Sequence, residues 1–349
     1  MSIVDLASQF TARPGYLAAC TGGLPSIRTQ EALREDLSRW SGGDLDAARY
    51  VDLVERSRAA YAALVGMATE RVAVGAQVSG LVSLLAAAVP DGAEILAVAG
   101  EFSSLTHPFE RQSHRGVRVR YVALADLPTE ITPSTHLVAY SLVQSATGEI
   151  APQAAIVAAA RAAGALTLAD LTQATGWLPI DAADNDATVC HAYKWLCSPR
   201  GTAFLTLSQE LTELINPTQA GWASADDIWG SCYAGHTPLG TNANRFDVSP
   251  AWQAWVGTAA ALEMFDRAAV ERIHAHDLAL ANAFRAGIGV SASDSAIVTW
   301  ADPDGAELAR ISAAGMTASG RAGNARVAFH VWNTTEDVTA LLAALGRTA

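Results

Sequence analysis

The chain lacks the features that would place it in a membrane or outside the cell. No apolar run approaches the ~18 uninterrupted residues that a membrane-spanning helix needs, and no basic segment followed by an apolar stretch opens the sequence. The four cysteines form no Cys-x-x-Cys pair and show no metal-ligand spacing. We therefore expect a reduced, cytoplasmic protein with no membrane partner and no metal site.

Positive charge is also scarce. The 349 residues include 23 lysines and arginines against 35 aspartates and glutamates, which gives a net charge of −12. This balance argues against nucleic acid as the main partner. Since 50% of the residues are apolar and 17% are charged, the sequence can build a sizeable core, and its length suggests about two domains.

Short apolar runs alternate with helical patterns over the first 250 residues. Turn residues bound each run, and this alternation predicts a mainly parallel sheet that is covered by helices on both faces. The strand candidates are 72–74, 94–98, 117–124, 136–140, 165–169, 187–191 and 203–207. The helix candidates between them are 45–65, 79–88, 105–115 and 153–163.

The pattern changes after about residue 250. A long helical stretch over 252–285, broken near residue 269, precedes strand candidates at 296–300 and 326–332 and helices at 305–314 and 336–345. We expect an α/β protein. Its large domain, residues 16–250, is a three-layer αβα unit with a mostly parallel seven-stranded sheet. A smaller α+β domain comprises residues 251–349, together with residues 1–15.

Polar side chains follow several predicted strands, at the sheet edge where ligands bind in open α/β folds. Residues 75–80 form a small-residue turn with Ser79 at a helix start, which suits either a phosphate or an ordinary helix cap. Asp170 ends a strand, where it either needs a cationic partner or caps a helix with its side chain exposed.

Two basic residues complete this set. Lys194 lies among aromatic and apolar residues, where it is either a partly desolvated nucleophilic amine or a surface lysine. Arg326 opens a strand candidate, where its planar guanidinium suits either a substrate carboxylate or a structural ion pair.

Gly22 and Gly23, near Cys20, either line a substrate pocket or form a plain turn.

In this order and spacing, the sequence resembles the class V aminotransferases, which are fold-type-I enzymes dependent on pyridoxal 5'-phosphate (PLP). That group includes cysteine desulfurases, kynureninases and isopenicillin-epimerase-like proteins. The resemblance rests on Asp170-x-x-Gln173, on Lys194-Trp195-Leu196 with Pro199-Arg200-Gly201, and on Arg326 with the block 333–338. It implies PLP as cofactor, a small amino acid as substrate, and a homodimer with the active site at the subunit interface.

The resemblance also implies individual roles. Lys194 matches the lysine that forms the internal aldimine, Asp170 the acid that pairs with the pyridinium nitrogen, and Arg326 the arginine that binds the substrate α-carboxylate. The implied cofactor contacts are Gln77, Val78 and Ser79 at the phosphate, Phe102 stacked on the ring, Ser145 and Gln173 beside it, His191 and Tyr193 near the phosphate, and Thr241 reaching the partner's phosphate.

The function expected from this resemblance is PLP-dependent quinonoid chemistry on a small amino acid, as an aminotransferase or a C–S lyase. An amino-acid epimerase, a kynureninase-like hydrolase and a non-catalytic PLP-fold regulatory protein are the alternatives. A persulfide-forming desulfurase is disfavoured because no cysteine follows Cys232. A dehydrogenase is disfavoured because no Gly-x-Gly-x-x-Gly opens the first strand–helix turn.

Overall fold

A seven-stranded sheet lies at the centre of the first 250 residues in the computed structural model, which describes residues 1–233 and 235–347. The strands are β1 Val72–Gly75, β2 Glu94–Val98, β3 Arg118–Val122, β4 Thr135–Ser141, β5 Leu166–Asp170, β6 Ala187–His191 and β7 Ala203–Leu207. Their order is β1-β7-β6-β5-β4-β2-β3. Only β7 runs antiparallel to its neighbours, which confirms the mostly parallel sheet.

Helices cover both faces of this sheet. The helices of the described residues are α1 Ile3–Ala7, α2 Ile27–Ser41, α3 Ala47–Leu64, α4 Val78–Ala88, α5 Ser103–Glu110, α6 Leu127–Glu130, α7 Gln153–Ala163, α8 Gln209–Leu214, α9 Trp252–Leu262, α10 Arg267–Ile288, α11 Ala306–Ala313 and α12 Thr335–Ala344. Apolar side chains of α4 and α5 build the core on one face, and those of α3 and α7 build it on the other. All of the strands except the edge strand β3 are therefore buried between two apolar layers.

A second, smaller sheet follows in the C-terminal part of the chain. Its three antiparallel strands are β8 Ile297–Ala301, β9 Ser319–Arg321 and β10 Asn324–Ala328, in the order β8-β10-β9. Residues of α10, α11 and α12 share a core with it. The division at residue 250 stays a prediction, and α9, directly after it, packs against α2 and α3.

Local signals explain where some elements end and where the sequence analysis was wrong. Gly164 ends α7 with a φ of 74°, as predicted. The break in the long C-terminal helix lies at 263–266 rather than near 269, because Asp266 caps α10 by accepting a hydrogen bond from the Ala269 N–H. The last predicted strand stops at Ala328, since the chain turns at His330.

No helix in the described residues is long and apolar enough to cross a bilayer.

Candidate active site

The carboxyl ends of the parallel strands meet around one cavity. Its lining residues come from the segments that follow β1, β2, β4, β5 and β6. They are Gln77, Val78, Ser79, Phe102, Ser104, Ser141, Ser145, Asp170, Thr172, Gln173, His191, Tyr193, Lys194 and Arg200. The cavity thus gathers all the predicted cofactor residues except Thr241, which is exposed and does not line it.

Lys194 presents a buried amine to this cavity. Its residue exposure is 6%, so it is not a surface lysine. The Nζ atom lies 5.5 Å from the centre of the Phe102 ring and 5.8 Å from that of Tyr193. Burial lowers the pKa of the amine to about 8, against the opposing charge of Asp170. A sizeable fraction of the amine is therefore neutral and nucleophilic near pH 8.

Asp170 places a carboxyl group at the end of β5. The side chain is 4% exposed, so it is not the exposed helix cap that was the alternative. Thr172 donates its backbone N–H to Oδ1 at 2.8 Å. Burial raises the pKa of Asp170 to about 6, while the bonds from Thr172 and the charge of Lys194 oppose that rise. The carboxylate is ionised at neutral pH and can pair with a cation in the cavity.

The N-terminal end of α4 forms an anion-binding region. Gln77 occupies the N-cap position without a side-chain cap bond, so Ser79 does not cap the helix. Nearby, the buried Nε2 of His191 has no hydrogen-bond partner in the described part of the chain. Burial and the charge of Arg200 lower the pKa of His191 to about 4. Free first-turn amides, an unpartnered imidazole nitrogen and a guanidinium together suit a phosphate group.

Arg326 lies beyond the cavity and contacts it through Ser145. Its guanidinium donates to the carbonyl and hydroxyl of Ser145, to Thr21 Oγ1 at 3.0 Å and to Ser319 Oγ at 3.1 Å. Within residues 1–233 and 235–347, no carboxylate lies at salt-bridge distance from it. The structural ion pair considered for Arg326 is therefore wrong, and its charge is available to a carboxylate ligand.

Gln173 connects these groups. Its side-chain amide donates to Ser145 Oγ and to the Cys20 carbonyl, each at 2.9 Å, and its Oε1 accepts from Trp195 Nε1 at 2.9 Å. One amide thus joins the serine that contacts Arg326 to the residue that follows Lys194. The amide positions both sides of the site relative to each other.

Several polar residues of the site were not identified from the sequence. Thr21, Ser104, Ser141 and Thr172 line the cavity or contact Arg326, and Arg200 was noted only as part of a motif. Hydroxyl residues are common and carry no spacing signal. The strand-end rule, applied after β4, is the one signal that points to Ser141.

The side chains that line the cavity fit the cofactor that the sequence resemblance implies. An anion-binding end, a buried carboxylate and a buried amine match the phosphate, the ring nitrogen and the aldehyde of PLP. Gln77, Ser79, His191 and Arg200 would hold the phosphate, and the exposed ring of Phe102 borders the opening.

Gly23 brings the N-terminal segment directly onto the Lys194 loop. Its N–H donates to the Tyr193 carbonyl at 2.9 Å. An ideal Cβ at this position would lie 2.0 Å from the Lys194 carbonyl oxygen and 2.9 Å from Cys197 Cα. Glycine is needed here because two stretches of backbone approach closely.

Replacing Gly23 with alanine should destabilise the protein by about 1–3 kcal/mol, because backbone atoms must shift to admit the methyl group. Gly22→Ala is the matched control, since nothing lies within 4 Å of an ideal Cβ at Gly22. Urea unfolding of the two variants measures the difference. Equal stabilities would show that the Lys194 loop yields freely to the N-terminal segment.

The sequence of the chain is similar to those of several known proteins. The profile of the aminotransferase class-V family matches residues 47–302. Isopenicillin N epimerase from Streptomyces clavuligerus is 34% identical over 187 residues, which cover 49% of this chain and 47% of that protein. An uncharacterized aminotransferase of Bacillus subtilis, YcbU, is 26% identical over 266 residues, 71% of this chain and 70% of that protein. The chain spans about half the length of the isopenicillin N epimerases it matches.

Solved structures show the fold. The cysteine desulfurase CsdA from Escherichia coli superimposes with a TM-score of 0.85 at 20% identity, over 99% of this chain and 98% of that one. The cystine C–S lyase C-DES gives a TM-score of 0.86 at 19% identity, over 97% and 99% of the two chains. With the family profile covering most of the sequence, the chain belongs to the class-V aminotransferases, a family of PLP-dependent enzymes.

Proposed function

We propose that this chain uses PLP to act on a small amino acid, as an aminotransferase or a C–S lyase. The observation that carries the proposal is the buried amine of Lys194, with an acid on one side and, on the other, an arginine that has no counter-ion among the described residues. When bound, PLP supplies an electron-withdrawing ring that stabilises negative charge on the substrate α-carbon.

Each side chain of the site would have a separate role in binding or proton transfer. Asp170 would keep the cofactor's ring nitrogen protonated, because a buried carboxylate favours a cationic partner. Lys194 would attach the cofactor and, once displaced by substrate, move the proton at the α-carbon. Arg326 would hold the α-carboxylate and thereby orient the bond that breaks. Gln173 and Ser145 would fix the position of Arg326 relative to the Lys194 loop.

Lys194 is also the only lysine in the 349-residue sequence, which makes the covalent attachment easy to test. PLP added to the purified chain and fixed by borohydride should label one side chain, found by peptide mass spectrometry at Lys194. The other amine available is the N-terminus. A chain that takes up no PLP, or carries label at the N-terminus alone, would overturn the proposal.

Product analysis separates the reaction types. L-alanine with an oxo acid yields a new amino acid if the enzyme transaminates, and cysteine conjugates yield pyruvate if it cleaves C–S bonds. Amino-acid epimerisation is the second candidate, because two relatives are isopenicillin N epimerases, and chiral chromatography detects it. Bound PLP without turnover on any of these substrates would favour a regulatory protein.

Replacing Arg326 with lysine should raise the KM for amino acids about 10- to 100-fold, because lysine cannot form the bidentate bond with a carboxylate. The absorbance spectrum of bound PLP should stay unchanged, since Arg326 does not line the cofactor cavity. Steady-state kinetics with the best substrate measures the effect. An unchanged KM would remove Arg326 from the proposed substrate site.

The chain is further proposed to be a cytoplasmic homodimer. Trp229 and Tyr233 are exposed aromatic residues in the irregular segment that precedes Thr241, and such residues are common at interfaces. Burying that surface would bring Thr241 towards the partner's phosphate site. Light scattering after gel filtration measures the mass, and a monomer would contradict the dimer. The free thiols of Cys20, Cys190, Cys197 and Cys232 support a reducing compartment.

A further inference from the structure

The β9–β10 hairpin carries two arginines on one face. Arg326 pairs with Ser319 and Asn324 pairs with Arg321. Directly paired residues share a face of a sheet, as do residues two apart along a strand. Ser319 Oγ accepts from Arg326 Nε across the hairpin. Arg321 therefore lies on the face that carries Arg326. Its partner Asn324 is two residues closer than Arg326 to the turn between β9 and β10.

The opposite face of the hairpin is apolar. Ala325 and Val327 are fully buried there, and an ideal Cβ on Gly320 would meet Leu308 of α11. The face with the two arginines instead turns to the active site, because Arg326 contacts Ser145 and Thr21 on that side. Arg321 is exposed at the outer rim of this face.

Arg321 has no acidic partner in the described residues. Its side chain donates to the carbonyl of its neighbour Gly320 at 2.7 Å, and it takes part in none of the salt bridges found. Its charge nonetheless reaches the site: burial lowers the pKa of both Lys194 and Arg326, and the positive charge of Arg321 lowers both further. Arg321 therefore adds a third positive charge near Lys194 and Arg326, and an anion placed among the three is attracted by all of them.

A count of charges makes the same point. Four cations gather at this site in a chain whose net charge is −12, namely Lys194, Arg200, Arg321 and Arg326. The proposed function gives Lys194 the cofactor aldehyde, Arg200 the phosphate and Arg326 the α-carboxylate. Of the four, Arg321 alone has no group of the cofactor or substrate assigned to it.

We propose that Arg321 binds a second carboxylate, at the far end of the substrate's side chain. The preferred substrates are then amino acids with an acidic side chain, or cysteine derivatives that carry an acidic group attached through the sulfur. This inference rests on the proposed function. Arg321 and Arg326 are diagonal neighbours across the hairpin, and such residues are separated by about 7–8 Å, so the spacing favours side chains longer than that of aspartate.

Matched ligands of nearly equal size test this specificity in the PLP-loaded enzyme. The pairs are L-glutamate with L-glutamine, and S-carboxymethyl-L-cysteine with S-carbamoylmethyl-L-cysteine. The dissociation constants come from the change in cofactor absorbance on binding, and kcat/KM is measured where turnover occurs. We expect the carboxylate member of at least one pair to bind about tenfold more tightly than its amide, and 0.5 M salt to reduce that preference.

Substitution at Arg321 tells whether this residue causes the preference. R321Q should abolish it while leaving the affinity for the amide ligands unchanged, and R321E should reverse it. R118Q is the matched control, because Arg118 is an exposed arginine on β3, the far edge strand of the large sheet. R118Q should keep the wild-type preference.

Each contrary result is decisive. The inference is overturned if the wild type binds amide and acid equally in both pairs, or if R321Q keeps the preference. If the chain takes up PLP and turns over neutral amino acids without preference, only the inference is lost. If it takes up no PLP, the proposed function and the inference fail together.

Discussion

Replacing Lys194 with alanine is expected to abolish both covalent PLP attachment and turnover. No other lysine exists in the chain to replace it, and the buried position keeps the amine partly neutral, with a pKa of about 8. Loss of a group that both binds the cofactor and moves a proton should reduce kcat/KM by at least about 10³-fold. Absorbance spectra, borohydride labelling and kinetics measure the three effects.

Lys194→Arg separates the charge of Lys194 from its reactivity. The guanidinium stays protonated at all relevant pH values, so the variant keeps a cation beside Asp170 but has no neutral amine. We expect it to fail as completely as the alanine variant. If it retained covalent PLP, the amine at 194 would not be the attachment point.

The pKa of Lys194 also gives the attachment step a pH dependence. Below pH 8 most of the amine is protonated and cannot attack the aldehyde, so the attachment rate should rise as pH increases through about 8. Rapid mixing of the apoenzyme with PLP over pH 6.5–9.5 measures this rate. A rate that keeps rising to pH 9.5 without levelling off would mean that the amine does not have the lowered pKa that its burial implies.

The large sheet could be predicted from the sequence because all of its strands except the edge strand β3 are buried on both faces. Such strands appear as short apolar runs, and all seven runs became strands. The polar strand ends at Asp170 and Lys194 followed from the same pattern, since parallel strands end at a common edge. β9 escaped prediction because it is short, contains Gly320 and has no buried residue.

Partners joined by long-range contacts could not be predicted. Arg326 is held by Thr21, Ser145 and Ser319, which lie on separate segments and have no distinctive spacing. Likewise, α2 is polar along most of its length and was missed, although it packs against α9. Tertiary packing decides such contacts, and a single sequence carries no record of it.

A buried ion pair behind the Lys194 loop leads to a second large effect. His330 is fully buried, with Nδ1 3.0 Å from the carboxylate of Asp277 and Nε2 3.0 Å from the Trp195 carbonyl. Both neighbours are hydrogen-bond acceptors, so both ring nitrogens must carry protons. The charge of Asp277 raises the pKa of His330 to about 10, against the effect of burial. The cation thus fixes the peptide bond that follows Trp195, one residue from Lys194.

Replacing Asp277 with asparagine should destabilise the protein by about 3–5 kcal/mol at pH 7, because it leaves a buried histidine without its counter-ion. Asp266→Asn is the matched control: it removes the same charge from α10, yet asparagine caps a helix as well as aspartate does. Equilibrium urea unfolding measures both variants. A loss below 1 kcal/mol for Asp277→Asn would mean that the pair is not ionised in the folded protein.

The pH dependence of this loss identifies its source. A pKa raised above that of unfolded histidine stabilises the fold fully below pH 6.5, and this stabilisation disappears as pH rises through about 10. The stability difference between wild type and Asp277→Asn should therefore be largest at pH 6 and shrink towards pH 10. Parallel stability curves from pH 7 to 10 would rule out a charged His330.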